Sequence, residues 1–142
     1  CAQAVARHMI ERGGGGKIVN ISSTAGRLGM PRFAAYCASK FAVIGFTQSL
    51  AHELAEHKIN VNAVCPGTTL TERTGYIAAA LNEQDAPTQD ATQTMVGSLA
   101  EQTPLGRVAE PEDVARTVAF LASAESDYTT GVALLVAGGI QM

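Results

Sequence analysis

Three short β-rich runs alternate with helical segments along this chain, and this alternation constrains the fold more than any other feature. The runs are "KIVNIS", "INVNAVCPG" and "GVALLVAGG". Helical spacing of apolar residues precedes the first run, extends over 32–58, and returns in "PEDVARTVAFLAS" before the third run. Strands joined by helices favour a parallel sheet that is covered on both faces. The sequence therefore predicts an α/β fold.

Composition and charge exclude several classes of protein. Hydrophobic residues make up 46% of the chain and charged residues 16%, which indicates a compact domain rather than a disordered one. The net charge of −3 gives no electrostatic reason to expect nucleic acid or a membrane as partner, and no apolar run approaches the length that spans a bilayer. Cys1, Cys37 and Cys65 lack metal-site spacing. We expect reduced thiols in a cytoplasmic protein.

Two features that resemble ligand sites are interpreted as structural. The glycine run at 13–16 follows a helix and precedes a strand, which is the reverse of the order that aims backbone N–H groups at a phosphate. It predicts the end of a helix. His8, His52 and His57 lie beside polar residues without ligand spacing, so we expect them on the surface and predict no metal site.

Two segments raise expectations about packing. Residues 68–109 lack a strong apolar period and are rich in Thr, Gln, Asp and Ala. A long, weakly structured stretch of this kind is typical of a lid or a binding loop, and we expect a substrate lid there. Gly45 lies inside the long helical pattern, where glycine costs roughly 1 kcal/mol relative to alanine. This predicts close packing of Gly45 against a sheet or a second helix.

Tyr36 and Lys40, in "YCASK", share one face of the helix that follows the first strand. A tyrosine is a poor acid or base at neutral pH, but a cation one turn away favours the phenolate form. Ligands of open parallel sheets bind beyond the carboxyl ends of the strands, where Ser22 and Ser23 lie. A serine hydroxyl there and the Tyr36 phenol would together move a proton to or from a carbonyl or alcohol oxygen.

The combination of "GKIVNISSTAG", "YCASK", "INVNAVCPG" and "TGVALLVAGG" resembles the short-chain dehydrogenase/reductase family in its classical branch. The resemblance covers essentially the whole chain. It implies a Rossmann-type, doubly wound parallel sheet and an oxidoreductase that uses NAD or NADP. It also implies that residues 1–142 are the C-terminal part of one domain whose cofactor-binding half precedes them. The first strand would then have an unpaired hydrophobic edge, and we expect the fragment alone to bind cofactor poorly and to be inactive.

The resemblance assigns catalytic roles to three residues. Ser23, thirteen positions before the tyrosine, would bind and polarise the substrate oxygen, and its neighbour Ser22 would be structural. Tyr36 would be the general acid or base. Lys40 would hydrogen-bond the nicotinamide ribose and favour ionisation of the tyrosine.

The resemblance also implies binding residues. Pro66, Gly67 and Thr71 would line the nicotinamide pocket together with Tyr36 and Lys40, with Thr71 on the carboxamide. Thr69 falls where the family commonly has Ile or Val making a backbone contact. Met30, Phe33 and the lid would shape the substrate pocket together with Ser23.

The expected substrate is a small secondary alcohol or ketone of the polyol, acetoin/diketone or 3-oxoacyl type, and the expected assembly is a homodimer or homotetramer. Two alternatives remain. One is a non-catalytic module for dinucleotide binding or oligomerisation, against which the Ser23, Tyr36 and Lys40 set argues because a scaffold alone does not need it. The other is an inactive, truncated half-domain.

Overall fold

The computed structural model describes residues 1–83 and 85–140. Every strand and helix predicted from the sequence is present. In chain order the helices and strands are α1 (Ala2–Arg12), β1 (Gly16–Ile21), α2 (Ala34–Leu54), β2 (Ile59–Pro66), α3 (Glu72–Leu81), α4 (Gln89–Gln102), α5 (Pro111–Ala122) and β3 (Ala133–Val136). Single turns of 3-10 helix cover Thr24–Gly26, Ala55–His57 and Ala124–Ser126.

The three strands form a parallel sheet in the order β1-β2-β3. Gly16 pairs with Ile59 at one end of the first ladder, and Ala63 pairs with Ala133 at the start of the second. Helices α1 and α2 cover one face, and α5 covers the other. The α/β fold predicted from the alternation, and the doubly wound parallel sheet that the family resemblance implies, are confirmed.

The core between the sheet and the α1–α2 layer explains why these segments fold together. Successive strand side chains point to opposite faces, and Ile18, Ile59 and Val61 point towards α1 and α2. There they join small and branched residues of the helices in one buried cluster, made of Ala6, Ala51 and Leu54 with Met9 and Leu50 at its rim. On the other face Lys17 forms an ion pair of 2.7 Å with Asp127 beyond α5.

The glycine run ends α1 as predicted. Gly13 has φ 70° and its N–H donates to the carbonyl oxygens of Met9 and Ile10, an arrangement that favours glycine because the left-handed region is costly for other residues. Gly14 and Gly15 also have positive φ. The run is a helix stop and connection to β1.

The expectation of weak structure in residues 68–109 is wrong, because this segment contains the helices α3 and α4. Its apolar period is faint for a physical reason. Helix α3 buries only small side chains, among them Ala78 and Ala79, and α4 has no fully buried residue. Gly75 lies where the two helices meet, since a Cβ there would come within 3.4 Å of the Thr92 hydroxyl oxygen on α4.

Gly45 does not pack against this chain's own sheet, so that part of the expectation is also wrong. No atom of residues 1–83 or 85–140 lies within 4 Å of the position its Cβ would take. Helix α2 meets the sheet through a different side, on which Cys37, Thr47, Ala51 and Leu54 are buried. The small-residue side faces outward, and it is formed by Ala34, Ala35, Ala38, Ala42 and Gly45.

The remaining structural expectations concern cysteines, histidines and membranes. All three cysteines are free, with Cys37 and Cys65 buried and Cys1 exposed. His8, His52 and His57 are exposed, as predicted. Over residues 1–83 and 85–140, no helix combines the length and apolar character that crossing a bilayer requires.

Candidate functional site

A cavity of about 270 Å³ opens beyond the carboxyl ends of β1 and β2. The cavity brings together seven of the nine residues that the sequence assigns to catalysis and binding. They are Ser23, Met30, Phe33, Tyr36, Gly67, Thr69 and Thr71. Lys40 and Pro66 are half-buried and do not line it. Pocket volumes for drug-sized ligands run from roughly 300 to 1,000 Å³, so the cavity suits a small molecule.

The two serines at the end of β1 have different surroundings. Ser22 is buried, its N–H donates to the Val64 carbonyl at 2.8 Å, and its hydroxyl donates to the Lys40 carbonyl at 2.8 Å. Ser22 therefore joins β1 to β2 and to α2, as its predicted structural role requires. The Ser23 oxygen accepts from Ala25 N–H at 3.2 Å. Within the part of the chain that the structure describes, the Ser23 hydroxyl donates to no acceptor, and Ser23 lines the cavity.

Gly26 makes this arrangement possible. A Cβ at Gly26 would come within 2.5 Å of the Ser22 hydroxyl oxygen and within 2.7 Å of the Lys40 carbonyl oxygen. Real Cβ contacts are not this short, so only glycine lets the turn Thr24–Gly26 approach the backbone of α2. The turn holds Ser23 next to the helix that carries Tyr36.

Tyr36 and Lys40 project from the first two turns of α2 and lie close together. The Lys40 ammonium nitrogen is 5.7 Å from the centre of the Tyr36 ring, and it donates to the Ile21 carbonyl at 3.1 Å. The bond to the end of β1 holds the ammonium near the phenol. On another side, the Phe33 ring meets Tyr36 edge-on with centroids 6.4 Å apart. The pair that the sequence predicts to share a helix face is therefore adjacent in space.

The backbone after β2 is fixed by Thr74, which the sequence reasoning missed. Thr74 is buried; its hydroxyl accepts from Thr71 N–H at 3.1 Å and donates to the Thr69 carbonyl at 3.0 Å. The Thr69 hydroxyl lies 3.3 Å from the Gly67 carbonyl, so its side chain is occupied locally. Two threonines three residues apart at the start of a helix, here Thr71 and Thr74, are typical of helix capping, so the sequence pattern could have identified Thr74.

Arg73 is the second residue that the sequence reasoning missed. It lies in the first turn of α3, lines the cavity, and places its guanidinium carbon 5.8 Å from the centre of the Tyr36 ring. Tyr36 therefore has a cation on α2 and another on α3. Its position in the sequence could have identified it. Arg73 follows the predicted contact Thr71 by two residues, and no other Lys or Arg occurs in 68–106.

Cys65 lies at the end of β2 but has no nucleophilic role. It is fully buried, and burial raises the pKa of its thiol, an effect that the Ser22 side chain opposes by hydrogen bonding. A protonated thiol is a weak nucleophile and a weak metal ligand. Over the described ranges, no group of three potential ligands is placed to hold a metal ion.

The chain is similar to known oxidoreductases over nearly its whole length. A family model described as enoyl-(acyl carrier protein) reductase matches residues 1–141. Human (3R)-3-hydroxyacyl-CoA dehydrogenase is 41% identical over 140 residues, which are 99% of this chain and 48% of that protein. Diacetyl reductase [(S)-acetoin forming] of Staphylococcus aureus is 43% identical over 128 residues, 89% of this chain and 48% of that protein.

A solved structure agrees with the sequence relatives. L-sorbose reductase of Gluconobacter frateurii, complexed with NADPH and L-sorbose, superposes with a TM-score of 0.86 at 30% identity, covering 99% of this chain and 52% of that one. The chain thus spans about half the length of the proteins it matches. The conclusion rests on the strand order, on Ser23 and Tyr36 lining one cavity, and on these matches: the chain belongs to the short-chain dehydrogenase/reductase family.

Proposed function

We propose that this chain is the catalytic half of an NAD(P)-dependent oxidoreductase that interconverts a small secondary alcohol and its ketone. One observation carries the proposal: Ser23 and Tyr36 line the same cavity, and the Lys40 ammonium lies 5.7 Å from the Tyr36 ring. A hydroxyl donor, a titratable phenol and a cation are the groups needed to bind a carbonyl oxygen and protonate it.

In the proposed reduction, the Ser23 hydroxyl donates to the substrate carbonyl oxygen and Tyr36 transfers its phenolic proton to that oxygen. A reduced nicotinamide held near Lys40, Gly67 and Thr71 would supply the hydride for the carbonyl carbon, so that the ketone would gain two electrons and two hydrogens in all. The Lys40 cation stabilises the phenolate that remains until solvent returns a proton. In the oxidation the phenolate removes the alcohol proton.

The residues around the cavity fit the nicotinamide end of such a cofactor. Lys40 uses one ammonium hydrogen on the Ile21 carbonyl, which leaves two donors for ribose hydroxyls. Gly67, Thr69 and Thr71 line the wall opposite, and Pro66 precedes them at the end of β2. That L-sorbose reductase is complexed with NADPH supports a nicotinamide cofactor, and assays with both NADH and NADPH determine the preference.

The substrate would lie between Ser23, Met30 and Phe33, beneath the lid of residues 68–109. The relatives are named for diacetyl, hydroxyacyl-CoA and sorbose substrates, which supports a substrate of the polyol, diketone or 3-oxoacyl type. We place the active enzyme in the cytoplasm as a longer chain that forms a homodimer or homotetramer. The outward-facing small residues of α2, with Phe41 and Phe46 nearly half exposed, support a contact between copies. Light scattering on the full-length protein measures that assembly.

Substitution of the phenol tests the proposal directly. We expect Tyr36→Phe in the full-length protein to lower kcat by at least about 100-fold, the lower range for a general acid, with little change in cofactor Kd. The assay follows NADH and NADPH oxidation with a panel of ketones and diketones.

Tyr128→Phe is the matched control, because Tyr128 is fully exposed and distant in sequence from the cavity residues. It should leave turnover unchanged. Undiminished turnover in Tyr36→Phe would reject the assignment and favour a non-catalytic module.

A further inference from the structure

Among the described residues that line the cavity, Arg73 is the only charged one. The other residues that line it are neutral, and none of them is Asp or Glu. Among the residues that the structure describes, no ion pair involves Arg73. The positive charge of the guanidinium is therefore not neutralised by any carboxylate of the described cavity wall.

The Arg73 guanidinium lies near the Tyr36 ring and keeps its hydrogen-bond donors available. Its central carbon is 5.8 Å from the centre of the ring, within the range of a cation–π contact. The N–H donors of a guanidinium lie in its plane, in a fork that matches the two oxygens of a carboxylate. No hydrogen bond of the Arg73 side chain occurs among the described residues, so its donors are available to a bound carboxylate.

The distance between Arg73 and the proposed reaction centre limits the size of the ligand. Tyr36 is both the residue that Arg73 approaches, with the guanidinium carbon 5.8 Å from the centre of its ring, and the residue that would protonate the substrate. An oxyanion bound by Arg73 would therefore be separated from the reacting carbon by a few bonds. A small hydroxy acid or oxo acid meets this condition.

We propose, building on the function inferred above, that the substrate is a small hydroxy acid or oxo acid and that Arg73 binds its carboxylate. Ser23 and Tyr36 bind the oxygen at the reacting carbon, and Arg73 binds the other end. Arg73 is in this arrangement a specificity-determining residue. The electrostatic attraction also favours the acid over neutral ketones of the same size.

The test compares each acid with its neutral ester in the full-length protein. Acetoacetate and methyl acetoacetate form one pair, and 2-oxobutyrate and methyl 2-oxobutyrate form another. We expect the wild-type protein to prefer the acid in at least one pair. Arg73→Gln should lower the acid-to-ester ratio of kcat/KM by about 10- to 100-fold, the range for losing a hydrogen bond to a charged group, mainly through KM for the acid.

Two further variants separate charge from folding. Arg73→Lys keeps the charge without the fork and should recover part of the acid preference. Arg116→Gln removes an exposed arginine from α5, away from the cavity, and should leave the ratio unchanged. An equal effect of Arg73→Gln on acid and ester, or an effect on cofactor KM alone, would overturn the proposal, the latter assigning Arg73 to the cofactor.

The outcomes also separate this inference from the proposed function. Turnover of neutral ketones with no acid preference in the wild type would overturn the role of Arg73 and leave the oxidoreductase assignment standing. No turnover of acids, esters or neutral ketones with either nicotinamide cofactor would overturn both.

Discussion

At the scale of single residues, the site depends on a contact that only glycine allows. Gly26 lies against the Ser22 hydroxyl and the Lys40 backbone, and Ser23 and Lys40 are both proposed to act in catalysis. The turn and the helix must therefore stay at their present separation for the serine and the lysine to keep their positions.

Gly26→Ala is expected to lower the stability of the full-length protein by about 1–3 kcal/mol, the usual cost of overpacking a tight contact. It should also reduce kcat, because relief of the clash moves Ser23 away from Tyr36. Thermal melts and turnover assays measure the two effects. Gly29→Ala is the control, since nothing lies within 4 Å of a Cβ at Gly29; equal melting temperatures for the two variants would contradict the argument.

Residues with local signals were predictable, and those that depend on a distant element were not. Tyr36 and Lys40 are one helical turn apart, so the sequence indicated their proximity, and the structure places them together. Arg73 reaches Tyr36 only because α3 begins beside the cavity that α2 also lines, so that the two helices cross paths in space. No periodicity along the chain encodes that crossing.

At the scale of elements, helix α5 shows how one carboxylate organises a helix start. Asp113 accepts from both terminal nitrogens of Arg107, at 2.6 and 3.0 Å, and from Glu110 N–H at 2.9 Å. These bonds hold the pKa of Asp113 well below its usual range, with the Arg107 hydrogen bond as the largest cause, and they raise the pKa of Arg107. Asp113 thereby fixes the segment that leads from the lid back into α5.

Asp113→Asn should lower the melting temperature at neutral pH, and the difference from wild type should shrink in acid. The folded-state pKa of Asp113 is below the unfolded value of about 3.9. The ionised carboxylate therefore stabilises the fold above that value, and its contribution is lost as the pH falls from about 4 towards the folded-state pKa. Thermal melts from pH 7 to pH 3 measure this dependence.

Glu112→Gln serves as the comparison for Asp113→Asn. It removes a charge from the same turn, but no hydrogen bond of the Glu112 side chain occurs among the described residues. Its effect should be smaller at every pH. A pH-independent difference for Asp113→Asn would show that the carboxylate charge is not what stabilises α5.

The helices differ in how well they could be predicted from the sequence. Helix α5 carries an apolar stripe that ends in the fully buried Leu121, so its period is strong and it was predicted. Helices α3 and α4 pack through alanine, glycine and threonine or remain partly exposed. Small side chains contribute little to an apolar period, and this is why the lid was predicted as irregular.

At the scale of the whole molecule, the edge of strand β1 is unpaired within the described sheet, and helices α1 and α2 expose apolar side chains. Strand β1 pairs only with β2 in the described sheet, and Ile21 at its end is 47% exposed. Val5 and Ile10 of α1 and Phe41 and Phe46 of α2 are also partly exposed. Exposed strand edges and apolar patches favour association, which supports the proposal that a longer chain and a second copy cover them.

We expect a nicotinamide cofactor to stabilise the full-length protein much more than this 142-residue chain. A ligand at 100 times its Kd stabilises the folded state by about 2.7 kcal/mol, which corresponds to a readily measured rise in melting temperature. In the proposed arrangement the chain alone provides only Lys40, Gly67 and Thr71 for the nicotinamide end, and we expect it to show little rise. Melts of both proteins with NADH and NADPH test this, and equal shifts would contradict it.

The two ends of the lid are joined to each other. Leu70 N–H donates to the Ala109 carbonyl at 2.8 Å, and Ala109 N–H donates to the Thr68 carbonyl at 3.1 Å, so the lid begins and ends at one point, between the end of β2 and the start of α5. A loop whose ends are held together gains or loses residues at a small cost in closure entropy, about 0.6 kcal/mol for each doubling of length. Insertions and deletions between these two points would therefore leave the strands in register. Evolution could therefore change the lid residues that line the cavity while Ser23 and Tyr36 keep their positions.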